Sequence, residues 1–470
     1  MGEAGQIDRI VKQFDTDKLA AFRQFHRRNR VVLVKRNMLC GLRGVGFVEF
    51  TQIDRRRDRE HEVRPEGVRR AEQIAHIHRF RDALDADSKE TSHVAEIRTP
   101  DPAEASCVDL DRMNNAAMDD AKTERAATVA LPQDSANPVL VEVTRGDMVE
   151  SVHRGRVAVV DTHAKVALQW GDIDAPVYPR SAIKVLQALP LVESGAADAF
   201  GLSDAELAIA CASHSGEPRH IDTVRQWLTR IGLSEDELAC GAHWPRHHQA
   251  TLHDMVRAGE TPGDINNNCS GKHAGMLTVA HHLGEPLEGY THPTHPVQQR
   301  ILGILEAICG LDLSKAPRGT DGCSVQTWAV PLSNLAYAFA QLGAPNDLPT
   351  ARADAARRLR KAVAAEPFMV AGTDRYCTTL MSVAGEAVFV KTGAEGVFCA
   401  ALPEYGLGVA LKCDDGAARG SQYMLTALLR RIGALDDDMA AKLDALVTVP
   451  IENCNGALVG MVRPAPALSF

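Results

Sequence analysis

The sequence contains no run of about 18 apolar residues, so no stretch reads as a membrane-spanning helix. Its start, Met1 to Asp15, carries Glu3, Asp8, Arg9 and Lys12 and lacks an apolar core, which excludes a secretory signal there. Positive charge is not in excess. The 52 Lys and Arg residues stand against 61 Asp and Glu, a net charge of -9, which argues against a general nucleic-acid binder. The 11 cysteines are odd in number, form no C-x-x-C pair and follow no regular framework. They point to free thiols in a reducing cytoplasm rather than to a disulfide scaffold. No internal repeat is visible.

What is present is material for a core. Hydrophobic residues make up 45%, which excludes a wholly disordered chain and a fibre. The length of 470 residues allows about three domains, or one large domain with appendages. Charge divides the chain. Residues 1–140 hold 24 basic and 24 acidic residues, about a third of that stretch, against about a fifth of the remainder. Residues 1–80 are Arg-rich (Arg27, Arg28, Arg30, Arg55, Arg56, Arg57, Arg69, Arg70) and residues 81–140 are acidic. With poor apolar periodicity, this reads as a charged, poorly ordered extension over 1–137, or as sequence upstream of the true start. Met113 and Met118 are the better starts. The Arg clusters are read as solvated, not as a nucleic-acid arm. A catalytic domain is expected over 138–470.

From Val139 the texture changes. Val139–Thr144 alternates as a strand, and Arg156–Val160 with Val166–Trp170 reads as an antiparallel hairpin. Ser203 and Glu206 form a capping box ahead of a helix. Residues 296–309 place Val297, Ile301, Ile304, Leu305 and Ile308 on one helical stripe. Glu386–Leu402 and Gly406–Lys412 read as a second hairpin, followed by a helix from Ala417 to Ile432. Strands at both ends and helices between predict an α/β sandwich on a mainly antiparallel sheet whose terminal strands pair.

Four clusters carry candidate chemistry. In Tyr178-Pro-Arg-Ser-Ala-Ile-Lys184, Ser181 falls in the first turn of a helix with Lys184 one turn later on the same face. Backbone N–H groups there suit an oxyanion, and a lysine takes a serine proton only when neutral, which needs desolvation or a neighbouring cation. Cys211-Ala-Ser-His-Ser-Gly-Glu217 is a turn rich in hydroxyls. Val388-Phe-Val-Lys-Thr-Gly393 puts Lys391 at the end of an apolar strand, and Gly393 leaves room for a ligand beside it. The ordered set S-x-x-K, S-x-S, K-T-G resembles the acylation machinery of serine β-lactamases and penicillin-binding proteins, with S-x-S in place of the usual S-x-N. The fourth cluster, Asn266-Asn-Asn-Cys-Ser-Gly-Lys-His273 with Asp321-Gly-Cys-Ser324, offers two sulfurs and nitrogen suited to tetrahedral zinc, or two structural cysteines. His243, His247 and His248 surround Trp244 and are read as satisfied structural histidines.

Taken together, Pro179-Arg-Ser-x-x-Lys184, Ala188–Gly195, Cys211–Glu217, Cys240-Gly-Ala-His-Trp244, Asn267–His273, Asp321-Gly-Cys323 and Lys391-Thr-Gly-Ala-Glu-Gly396 resemble the rhizobial-type L-asparaginases, over about residues 138–465. The resemblance implies a fold related to serine β-lactamases and glutaminases, a homodimer, and hydrolysis of L-asparagine to L-aspartate and ammonia. It implies two catalytic pairs, Ser181 with Lys184 and Ser213 with Lys391. Zinc would lie on Cys269, Lys272 and Cys323, supporting substrate binding rather than the chemistry itself. Arg180, His273 and Asp321 would line the substrate site. Ser181 is the expected nucleophile, Lys184 its base, and Ser213 with Lys391 a proton relay. The other readings are a β-lactamase-like acyl hydrolase and a non-catalytic zinc-stabilised binding protein. No partner in the membrane or among nucleic acids is expected.

Overall fold

A computed structural model describes residues 137–448 and 450–468. The expectations for the charged extension, its start sites and its Arg clusters lie outside the described residues. Twelve strands are described: β1 (Val139–Arg145), β2 (Met148–Asp161), β3 (Val166–Trp170), β4 (Pro176–Val177), β5 (Arg318–Thr320), β6 (Gln326–Trp328), β7 (Val330–Pro331), β8 (Phe389–Thr392), β9 (Val397–Leu402), β10 (Leu407–Cys413), β11 (Pro450–Glu452) and β12 (Leu458–Pro464). The helices used below are α1 (Lys184–Gln187), α2 (Asp204–Ala210), α3 (Ser270–His282), α4 (Pro296–Cys309), α5 (Leu332–Gly343), α6 (Thr350–Ala365), α7 (Tyr376–Ala384) and α8 (Ala418–Ile432).

One eight-stranded sheet organises the domain, in the order β11-β12-β1-β2-β10-β9-β8, with β3 paired to β2. Every pairing in it is antiparallel. The terminal strands do meet, with Val141 opposite Pro464. The β2–β3 hairpin forms as its alternation predicts, with Val157 opposite Trp170. Two small ribbons, β4–β7 and β5–β6, stand apart from the sheet.

The structure differs from the sequence reading at two places. The segment Glu386–Leu402 is not one arm of a hairpin. It turns at Gly393–Gly396 into β8 and β9, and β10 then pairs with β9, so three strands run in sequence. Strand β2 is 14 residues long, because its exposed first half, Met148–Val152, pairs with β1 before the apolar run begins. That half lacks a buried face, which is the only feature that periodicity detects.

Helices cover the sheet. α5 packs over β2, β9 and β10, and α8 over β1, β9, β10 and β12. A helical layer formed by α2, α3, α4 and α6 continues the core, which includes Ile209, Leu277, Ile304 and Leu359. The Ser203 cap on α2 is the reciprocal pair read from sequence: Ser203 N–H donates to Glu206 Oε2 at 2.8 Å, and Glu206 N–H to Ser203 Oγ. On α4, the residues of the expected stripe are all buried. No described helix is long and apolar enough to cross a membrane.

Candidate active site

Three elements far apart in sequence deliver the polar centre. A 3-10 turn, Arg180–Ile183, runs into α1 and carries Ser181 and Lys184. The loop after α2 carries Ser213, and edge strand β8 carries Lys391. Gly393, two residues beyond Lys391, makes the docking possible. A Cβ there would stand 2.4 Å from the Pro179 carbonyl oxygen and 3.2 Å from Ala182 N. The space left by this glycine is thus filled by the chain itself, the turn bearing Ser181, and not by the ligand expected from the sequence. Arg180 holds that turn from a left-handed backbone conformation (φ 52°), which is uncommon for a non-glycine residue.

Both lysines are buried, each 1% exposed, and both converge on Ser213. Lys184 Nζ donates to Ser213 Oγ at 3.0 Å, and Lys391 Nζ donates to the same oxygen at 2.9 Å. Lys184 also donates to the Ala212 and Asn268 carbonyls, and Lys391 to Thr392 O at 2.8 Å. Burial, and then the charge of Lys184, lowers Lys391 to about 7. No hydrogen bond joins Ser181 to Lys184. The partly exposed Ser181 hydroxyl has no hydrogen-bond partner among the described residues. The structure therefore places both lysines on Ser213 and leaves Ser181 open. The two separate pairs of the sequence reading are one Lys–Ser–Lys group. The N–H of Ala182 is already bonded to Pro179 O at 3.0 Å and is not free for an oxyanion.

The second cluster adjoins the first through Asn268 and Ser270. His214 N–H donates to Asn268 O, and His214 Nε2 lies 2.9 Å from Ser270 Oγ. Burial drives the His214 pKa well down, so the ring is neutral, and its Nδ1 accepts from Gly216 N–H. The ring proton therefore sits on Nε2 and is donated to Ser270. Cys269 stands at the start of α3, and Lys272 one turn in reaches Cys323 in the turn before β6, with Nζ to Sγ at 2.9 Å. Contact with Cys323 holds the Cys269 thiol well below its ordinary range, against the cost of burial. Burial works against the charge on Lys272, but Cys323 and Cys269 outweigh it and raise its pKa. His273 Nδ1 meets Tyr290 OH at 2.7 Å, and its Nε2 is buried without a partner. The two sulfurs and the imidazole nitrogen are ligand types that zinc takes, whereas Lys272 keeps its proton beside Cys323 and would have to lose it to serve as a ligand.

Arg180 and Asp321 face each other. Nε donates to Oδ1 at 2.8 Å, Nη2 lies 2.6 Å from the same oxygen, and Gly322 N–H donates to it as well. Burial opposes the Asp321 charge, and the hydrogen bond from Arg180 wins, lowering its pKa. His243 Nε2 accepts from Asn268 N–H at 3.0 Å, and His248 accepts from Thr251 N–H at the start of a helix. His247 is exposed. A separate group, His153, Cys413 and Asp415, also has metal-ligand character. Its ring is fully engaged, however: Arg419 Nε donates to Nε2, so the proton lies on Nδ1 and is donated to Asp415. This group pins β2 to the segment before α8.

Sequence reasoning overlooked the segment Val370–Arg375, which packs against the Ser213 loop. Ser213 N–H donates to Val370 O at 2.9 Å, Ser215 Oγ to Ala371 O at 2.7 Å, and Thr373 N–H to Glu217 Oε1 at 2.8 Å. The only local signal was Gly372-Thr-Asp374, a turn directly after the apolar run Phe368–Ala371.

No curated protein matches the sequence. Solved structures with a similar course include the protein Mglu, at 16% identity and a TM-score of 0.28, covering 60% of this chain and 67% of Mglu. They also include D-alanine carboxypeptidase AmpC from Burkholderia cenocepacia, at 11% identity and a TM-score of 0.29, covering 62% of this chain and 92% of that one. A β-lactamase from Mycobacterium bovis matches at 14% identity and a TM-score of 0.30, covering 62% and 93%. Residues 141–464 match the model of the family described as L-asparaginase II. That match takes in the strands at both ends of the sheet and every residue of the Lys–Ser–Lys group, so the chain belongs to the L-asparaginase II family and is an amidohydrolase acting on a small molecule.

Proposed function

We propose that the chain hydrolyses the side-chain amide of L-asparagine to L-aspartate and ammonia through an acyl-enzyme on Ser181. The observation that carries this reading is the meeting of two buried lysines on one hydroxyl, at 3.0 and 2.9 Å, beside a serine that makes no bond of its own. Lys391, with a pKa of about 7, is poised to lose and regain a proton near neutrality. A proton leaving Ser181 is accepted by Lys184 once that amine has passed its own proton through Ser213 to neutral Lys391. The Ser181 oxygen then bonds to the amide carbon, the C–N bond breaks, and the proton returns to the leaving nitrogen to release ammonia. Water cleaves the resulting ester by the reverse relay, freeing L-aspartate and the Ser181 hydroxyl.

Asp321 holds Arg180, and Arg180 in turn fixes the turn that presents Ser181. Cys269, Lys272 and Cys323 would hold zinc, with His273 beside them. Zinc would supply a Lewis-acidic contact that orders the bound substrate. The same reading carries a cytoplasmic homodimer, which light scattering in solution checks.

The test is ammonia release from L-asparagine and L-glutamine, with and without a chelator. Release from L-asparagine, with KM but not kcat altered by chelation, is expected. No release from either amide overturns the reading. Covalent labelling by a penicillin in its place would favour a β-lactamase-like hydrolase, and metal binding without turnover a non-catalytic protein.

A further inference from the structure

Arg375 is a cation without a counterion. Its Nη1 is buried with no hydrogen-bond partner, and no carboxylate among the described residues lies in salt-bridge range of it. Arg180, by contrast, has a counterion in Asp321. Arg375 also caps the N-terminus of α7, where the helix dipole disfavours positive charge. A guanidinium with a buried, unpartnered donor and no counterion is relieved by an anion.

The segment that holds Arg375 is tied to the loop that carries Ser213. Glu217 accepts from both Thr373 N–H, at 2.8 Å, and Thr373 Oγ1, at 2.7 Å. Gly372, at φ 109°, lies so close that a Cβ would stand 2.4 Å from Glu217 Oε1. Ser213 and Ser215 tie the two preceding carbonyls to the same loop. Arg375 is thereby fixed relative to Ser213. Its charge is felt at Lys391 and at His247, lowering both, after burial as the main cause in each case. The third titratable group beside it is Cys377, whose thiol is pushed up by burial, and none of the three is a carboxylate.

We infer that Arg375 is the anchor for the α-carboxylate of the substrate, held in a bidentate grip beside the Lys–Ser–Lys group. This rests on the asparaginase reading. It gives the substrate site a cation besides Arg180, whose charge already has a counterion in Asp321.

The experiment uses the full chain with Arg375→Gln and Arg375→Lys. Turnover is measured on L-asparagine and on L-aspartic diamide, which lacks the α-carboxylate, and L-aspartate binding is followed by calorimetry. For Arg375→Gln the expected result is KM for L-asparagine raised about 100-fold, kcat within about 5-fold, and turnover of the diamide unchanged. L-Aspartate binding should weaken by a similar factor, and Arg375→Lys should recover part of both losses. Thermal melting without ligand should not fall, because no partner is left unpaired. Equal losses on both substrates, or unaltered KM and aspartate affinity, would overturn the assignment. If wild-type protein released no ammonia, the asparaginase reading would fall, yet aspartate binding would still decide the anchor. Wild-type protein that binds no L-aspartate overturns it outright.

Discussion

Lys391 and Lys272 are both buried, at 1% and 4% exposure, and both donate to a side chain that can ionise or relay a proton. Their surroundings differ in one respect. Lys391 meets a hydroxyl and a second lysine, so burial and the charge of Lys184 together lower it to about 7. Lys272 meets two sulfurs, and although burial opposes its charge, Cys323 and Cys269 hold the proton on. The same residue type at the same depth is thus made a proton carrier in one place and a fixed charge in the other. What decides is the sign of the neighbouring charge, not burial. The Ser213 side is suited to proton transfer. The Cys323 side is suited to holding positive charge, which is also what a metal ion would supply.

The contrast breaks most sharply at the serines. Ser181→Ala should lower kcat on L-asparagine by at least about 10⁴-fold with the fold retained, because the relay then has nothing to deprotonate. Circular dichroism beside the ammonia assay checks it, and near-normal turnover would remove Ser181 as nucleophile.

Lys391→Met tests the carrier side. With Lys391 active in its neutral form, wild-type kcat/KM should rise through a pKa near 7 to a plateau, and the variant should lose that limb along with most of its rate. Stability follows the same group. Its folded pKa of about 7 lies below the ordinary 10.5, so the unfolded chain binds more protons between those values. Stability contributed by this site therefore rises with pH across that window, by on the order of a few kcal/mol, and is lost as pH falls toward 7. Urea unfolding at a series of pH values should show a shallower slope in Lys391→Met than in wild type.

On the Cys323 side the effect is smaller. Cys323→Ser should reduce zinc content, read by atomic absorption, and raise KM about 10-fold or more while kcat changes little. Unchanged zinc stoichiometry would exclude Cys323 as a ligand.

The sequence made visible those features that depend on neighbours in the chain. Ser203 and Glu206 are three residues apart, so their reciprocal cap was readable, as was the stripe from Val297 to Ile308. Strand β1 and the β2–β3 hairpin showed in their alternation. Lys184 was read as serving Ser181 because helical spacing puts them on one face. The side-chain hydrogen bond it makes, to Ser213 29 residues away, arrives through the packing of α2 and was not readable. The isolation of Arg375 was not readable either, since the lack of a counterion is a property of the folded neighbourhood and of no local pattern. The metal-side cluster lay between these cases. Cys269 caps α3 and Lys272 follows three residues later, but Cys323 comes from a turn 51 residues beyond Lys272.

The central claim is that the acyl group is carried by the unbonded serine and not by the one held between two lysines. Acid quenching during turnover of L-asparagine, followed by peptide mapping in a mass spectrometer, tests it directly. An aspartyl ester on the peptide containing Ser181 is the predicted result. The same ester on the peptide containing Ser213, or no ester on either serine during sustained ammonia release, would contradict it.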